Sequence, residues 1–85
     1  MEFFRAPSLS MTIYRLPAGA TDEQQPHNED EVYYVVEGRA QFLVEDESRP
    51  VGPGTVLFVA KHVEHRFHAI EEDLTTLVVF APAKT

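Results

Sequence analysis

Apolar residues fall along this chain in short runs, some alternating and some continuous. Turn signals separate them about every eight to twelve residues, the rhythm of an all-β sandwich or barrel. Residues 9–16 alternate imperfectly, carry Thr12, Ile13 and Tyr14, and stop at Pro17, which predicts a strand. Over 31–37 the alternation puts Glu31, Tyr33 and Val35 on one face and Val32, Tyr34 and Val36 on the other. Both faces are apolar, so this strand is expected to be covered twice, by an opposite sheet and by a further layer or subunit. Gly38 permits a tight turn, after which Ala40, Phe42 and Val44 share a face of a returning strand. The G-P-G run at Gly52, Pro53 and Gly54 sets another turn before a short apolar strand over 55–59. Leu77, Val78, Val79 and Phe80 form a second run apolar on both faces, stopped by Pro82.

Local rules disagree over residues 60–74. Ala60, Val63, Phe67, Ile70 and Leu74 recur at helical spacing with charges between them, so periodicity alone favours an amphipathic helix. The competing reading is a turn over 60–64 and then a strand with His65, Phe67 and Ala69 on one face. The turn rhythm of the whole chain favours that strand.

At 85 residues the chain is read as one small domain over 1–85, with residues 1–8 as an N-terminal arm. A hydrophobic fraction of 44% with 25% charged residues is that of a folded domain rather than a disordered one. A chain this short buries only ~60 to 65% of its unfolded surface. That small core and the two runs apolar on both faces predict a homodimer, whose partner layer covers Val32, Tyr34 and Val36 and draws on Phe3 and Phe4. With no cysteine, disulfides and thiolate metal sites are excluded. Seven Lys and Arg against fourteen Asp and Glu give a net charge of -7, which argues against nucleic acid or an anionic membrane as partner. The start M-E-F-F-R-A-P-S-L lacks a basic leader with a long apolar core, so a cytoplasmic protein is expected.

Candidate chemistry concentrates in P-H-N-E-D-E-V-Y-Y-V-V-E-G, residues 26–38. His27 and Glu31 combine metal-ligand chemistry with a place at the mouth of a buried strand. A helix would stack positions i and i+4, but no apolar side chain lies between Ala20 and Val32 for it to bury. An extended strand would hold the two side chains roughly 13 Å apart. A bent segment through Asn28, Glu29 and Asp30 could bring them together, and two solvated loop residues remain the simpler account of this stretch alone.

The spacing of Gly19, His27, Glu31 and Gly38 resembles the first motif of the cupin superfamily, G-x5-H-x-H-x3-4-E-x6-G. Residues 54–65 resemble the second, G-x5-P-x-G-x2-H-x3-N, with Gly54 and His65 in place. The likeness spans about residues 17–82 and is nearest to the small single-domain cupins. Gln25 stands at the first His of the pair, Ala60 at the Pro, His62 at the Gly and Ala69 at the Asn. The resemblance implies a double-stranded β-helix, a jelly-roll barrel, with His27, Glu31 and His65 as metal ligands in its mouth and Gln25 as a weaker fourth. Two imidazoles and a carboxylate suit non-haem Fe(II) and O2, which is favoured here, and also accept Mn, Ni or Zn.

Tyr33, Phe42 and Phe67 are expected to fill the barrel and to line a small-molecule site. His62 is placed at the surface, His68 outside the barrel, and Arg39 in solvent. The implied activity is that of a metal-dependent oxidoreductase of dioxygenase type, with an isomerase or epimerase as a variant. No separate general base stands out. A non-catalytic small-molecule binding module on the same fold is the alternative.

Overall fold

The computed structural model describes residues 1–23 and 26–85. Among them are six strands and no helix: β1 (Glu2–Ala6), β2 (Leu9–Leu16), β3 (Asp30–Val44), β4 (Glu47–Val51), β5 (Val56–Val59) and β6 (His65–Ala81). No helix is therefore available to cross a membrane. All strand pairings are antiparallel.

β3 and β6 pair along nearly their whole lengths, from Asp30 with Ala81 to Val44 with His65, and the register shifts between Val35 and Gln41. That bend divides the molecule into two sheets. The first runs β1-β2-β6-β3-β5 and uses residues 74–81 of β6 and 30–35 of β3. The second runs β6-β3-β4 and uses residues 65–68 and 40–44. Their inner faces meet where the Tyr33 ring packs edge-on against Phe42 and Phe67, at 5.5 and 5.2 Å between centroids. The fold is all-β, a double-stranded β-helix, with Val35, Ala40, Val51, Val59, Leu74 and Val78 completing the core around those rings.

Three sequence expectations meet the structure here. Residues 2–6 of the expected arm form β1, an edge strand paired with β2. Gly38 makes no hairpin turn: β3 continues through it from one sheet into the other, so the expected return strand is the second half of the same strand. Gly38 adopts φ 98°, and a Cβ there would run into the Asp73 carbonyl oxygen and Leu74 Cα. Only glycine lets the bent backbones of β3 and β6 approach so closely. Residues 60–64 are turn and loop, and 65–81 are strand, with no helix.

The helical spacing of 60–74 has a physical origin in the bend. β6 turns His65 and Phe67 inward, then passes Ala69 at φ 48°, after which Ile70, Leu74, Thr76, Val78 and Phe80 are buried. A parity change in a bulged strand spaces buried residues three or four apart, as a helix does.

The outer face of the first sheet is apolar as well. Phe4, Met11, Val79, Val32 and Phe58 form one row across five strands, and Ile13, Leu77, Tyr34 and Val56 a second across four. Val56 and Phe58 are each 65% exposed, and Tyr34 and Val36 are also open to solvent.

Candidate metal centre

His65 is the first residue of β6, and its ring lies 6.0 Å from those of Tyr33 and Phe42. The turn before it closes with the Val63 N–H donating to the Ala60 carbonyl at 3.2 Å. His65 Nδ1 is 2.9 Å from the Val63 carbonyl oxygen. A carbonyl only accepts, so Nδ1 carries a proton and Nε2 is the atom turned toward Glu31. Glu31, near the start of β3, points inward in the same row as Tyr33 and Val35 and is 1% exposed.

Its carboxylate stands between two imidazoles. Oε1 lies 2.6 Å from His65 Nε2, and Oε2 lies 4.0 Å from His27 Nε2. His27 arrives from the loop before β3, where the chain bends at Asn28 and Glu29. Its carbonyl accepts the His62 N–H at 2.7 Å, and Asp30 Oδ1 accepts the Lys61 N–H at 2.9 Å. The turn that leads into His65 is thus tied to the segment that carries His27. The His27 ring meets Phe80 edge-on at 5.2 Å and remains 16% exposed, the one donor of the three in contact with solvent.

One donor atom from each of His27, Glu31 and His65 falls within 4.8 Å of the others. Both Glu31 oxygens and His65 Nε2 are buried without a hydrogen-bond partner, so the 2.6 Å approach is not an aligned N–H···O bond. Leaving such groups unsatisfied costs about 1–3 kcal/mol each, and more when charged. A divalent cation among the three donors removes that cost, and the residues present therefore fit a metal ion.

The electrostatics agree with this grouping. Burial acts to lower the His65 pKa, but the Glu31 carboxylate and the Val63 carbonyl outweigh it and leave the value above the ordinary histidine range. Burial dominates at His27 and holds its pKa low against the opposing pull of Glu31.

Gln25 lies outside the described residues. His62 is exposed, Arg39 is exposed, and His68 contacts the Ser48 hydroxyl at 2.8 Å away from the centre. Tyr33, Phe42 and Phe67 are buried against one another below His65.

Two buried carboxylates escaped the sequence reading. Asp22 accepts from the Tyr14 hydroxyl at 2.6 Å and the Phe67 N–H at 2.9 Å. Glu29 Oε2 accepts from the Thr85 N–H and hydroxyl at 3.1 and 2.8 Å. Burial works to raise the Glu29 pKa, yet those bonds, Lys84 and His27 bring it below the ordinary value. Neither residue sits in an apolar run, so hydropathy gave no sign of their burial.

The profile of the cupin domain family matches residues 12–80, which takes in all three donors. The chain belongs to the cupin family. It is 47% identical over its full length to an uncharacterised protein of Streptomyces coelicolor, covering 81% of that relative. Among solved structures, this cupin resembles KdgF from Halomonas sp. at 27% identity and a TM-score of 0.84, covering 96% of this chain and 76% of the other. It resembles the DMSP lyase DddQ from Ruegeria pomeroyi DSS-3 at 27% identity and a TM-score of 0.83, covering 89% of this chain but only 39% of that one.

At two departures from the cupin motif the backbone is left-handed. His62, at the motif glycine, has φ 67°, and Ala69, at the motif asparagine, has φ 48°. Glycine and asparagine, the motif residues, adopt such angles most readily, and here histidine and alanine hold them instead.

Proposed function

We propose that this cupin is a metal-dependent enzyme acting on a small molecule, an oxidoreductase of the Fe(II) dioxygenase type. The observation that carries the reading is the convergence of His27, Glu31 and His65, with buried donor atoms that lack hydrogen-bond partners. Two imidazoles and one carboxylate on one side of an ion are the set that suits non-haem Fe(II), with Mn, Ni and Zn as competitors and Gln25 as a weaker fourth ligand. Such an ion supplies Lewis acidity and electrons at its open coordination positions.

The chain's own residues prepare the site. The Val63 carbonyl keeps the proton on His65 Nδ1 and leaves Nε2 as the donor. Glu31 balances charge in a buried setting. Tyr33, Phe42 and Phe67 form a closed apolar floor that excludes water from beneath the three donors, and a small substrate would lie above it on the side of the partly exposed His27.

A metal-dependent lyase is a second reading, favoured by the likeness to the DMSP lyase DddQ. Metal analysis of protein purified without a histidine tag, followed by O2 uptake with small thiols, phenols or diketones, separates the readings. Stoichiometric iron with substrate-dependent O2 uptake supports the dioxygenase. Bound metal with turnover but no O2 uptake favours a lyase, isomerase or epimerase. Ligand binding without metal returns the protein to a non-catalytic binding module. The reading also places the enzyme in the cytoplasm as a homodimer, with a second copy over the apolar outer face of the first sheet.

A further inference from the structure

We propose that Asp22 is the positioning residue of this centre, fixing the β6 backbone beside His65 to the loop that leads to His27. The proposal rests on the metal-centre reading above. Residues 65–68 of β6 have β3 along one edge. Along the opposite edge runs the segment after β2: the Gly19 N–H donates to the Ile70 carbonyl at 2.9 Å, and the Phe67 N–H donates to Asp22 Oδ2 at 2.9 Å. A side-chain carboxylate thus takes the place of a strand carbonyl at the position two residues from His65. Its other oxygen, Oδ1, accepts the Tyr14 hydroxyl at 2.6 Å, which adds β2 to the same junction. Burial first, and Asp22 next, push the Tyr14 phenol well above its usual value, so it stays a donor.

Asp22 is 3% exposed. Covering one backbone N–H does not need a charged group, since a backbone carbonyl does so without burying a carboxylate. What the carboxylate adds is two acceptors, one for each of two elements, on the loop that continues to His27. Phe67 and His65 share the inward face of β6, so a shift of the Phe67 backbone passes to Nε2. Metal–ligand distances tolerate only about 0.2 Å.

The test uses the full chain with Zn(II) as probe, titrated by calorimetry, and thermal unfolding of the metal-free protein alongside. Asp22→Ala is expected to weaken Zn(II) binding about tenfold or more, the range seen when a group that orients a ligand is removed. Tyr14→Phe should weaken it less, because the Phe67 bond remains. Asp22→Asn should stay close to wild type, because its side-chain carbonyl still accepts the Phe67 N–H. Val51→Ala, a core truncation at the far end of the barrel, should lower stability and leave Zn(II) affinity unchanged.

The proposal is overturned if Asp22→Ala binds Zn(II) within about twofold of wild type, or if Val51→Ala loses as much affinity at equal loss of stability. Should Asp22→Ala fail to fold, Tyr14→Phe decides: a Zn(II) affinity unchanged from wild type overturns the proposal. If wild type itself binds no Zn(II), the metal-centre reading fails. Asp22 is then judged by the NMR signals of the His65 ring, which should move more in Asp22→Ala than in Val51→Ala; the reverse order overturns it.

Discussion

Each carboxylate oxygen of Glu31 faces a different imidazole, and this single residue therefore holds the centre together. Replacing His27, Glu31 or His65 by Ala should abolish stoichiometric binding of a divalent metal while circular dichroism stays that of a β protein. Gln25→Ala should weaken binding far less, and Gln25→His should strengthen it by offering a nitrogen donor. Full affinity in His65→Ala combined with loss in His62→Ala would sink the ligand assignment. The protonation of His65 gives a second check. Its folded pKa lies above the unfolded value of about 6.5. In the metal-free protein its contribution to stability is therefore fully present below about pH 6.5 and is lost as pH rises through the folded value. His27, shifted downward, acts in the opposite sense: its contribution is present above about pH 6.5 and is lost as pH falls toward its folded value. Unfolding midpoints of EDTA-treated wild type and His65→Gln should converge as pH rises above the His65 value. With metal present the sense reverses, because the ion competes with the proton on Nε2 and binds better as pH rises.

The elements follow from the sequence where the contacts that decide them are local. The strand over 9–16, the inward row Glu31, Tyr33 and Val35, and the turn at Gly54 are all legible from alternation and turn residues. From its own stretch the bend between Asn28 and Asp30 that joins His27 to Glu31 stands open beside two solvated loop residues, and only the resemblance to the cupin motif selects it. Gly38 misleads because a glycine in a hairpin turn and one under a close backbone crossing look alike until Asp73, far along the chain, is placed beside it. The 60–74 stretch misleads for a related reason, since a bulged strand copies helical spacing. Asp22 and Glu29 are invisible for lack of any apolar pattern, their partners lying on β6 and at Thr85. Two substitutions probe the bends. Gly38→Ala should lower the unfolding midpoint strongly, because both its φ and the crossing backbone oppose a Cβ. Ala69→Asn should raise stability by up to about 1 kcal/mol, because asparagine accepts the left-handed region more readily than alanine. In a domain of this size that is a rise of about 4–8 °C, readable by calorimetry.

For the whole molecule, the two apolar rows on the first sheet are the surface through which the proposed homodimer would form. Five strands at ~4.8 Å spacing make a face ~24 Å wide, and Val32, Tyr34 and Val36 extend ~13 Å along it. That is roughly 300 Å² of apolar footprint, within the range of the largest patch on a typical monomer. A stable pair buries about 800 Å² per partner, so the rows would form the dry centre of a contact whose rim is polar. Light scattering should return a dimer at micromolar concentration, with an unfolding midpoint that falls on dilution. Tyr34→Glu with Phe58→Glu should give a monomer that keeps its metal centre. A wild-type monomer with a concentration-independent midpoint would remove the dimer from the proposal. The ladder between β3 and β6 carries a last consequence, for the order of events during synthesis. Glu31 leaves the ribosome long before Phe80, its neighbour in the ladder, so β3 must wait with one edge open until β6 is made. Pairing at such sequence separation belongs to the slow class of small folds, on the order of milliseconds to seconds. A nascent chain halted before β6 would have neither barrel nor His65, and its exposed strands would be the ones most in need of a chaperone.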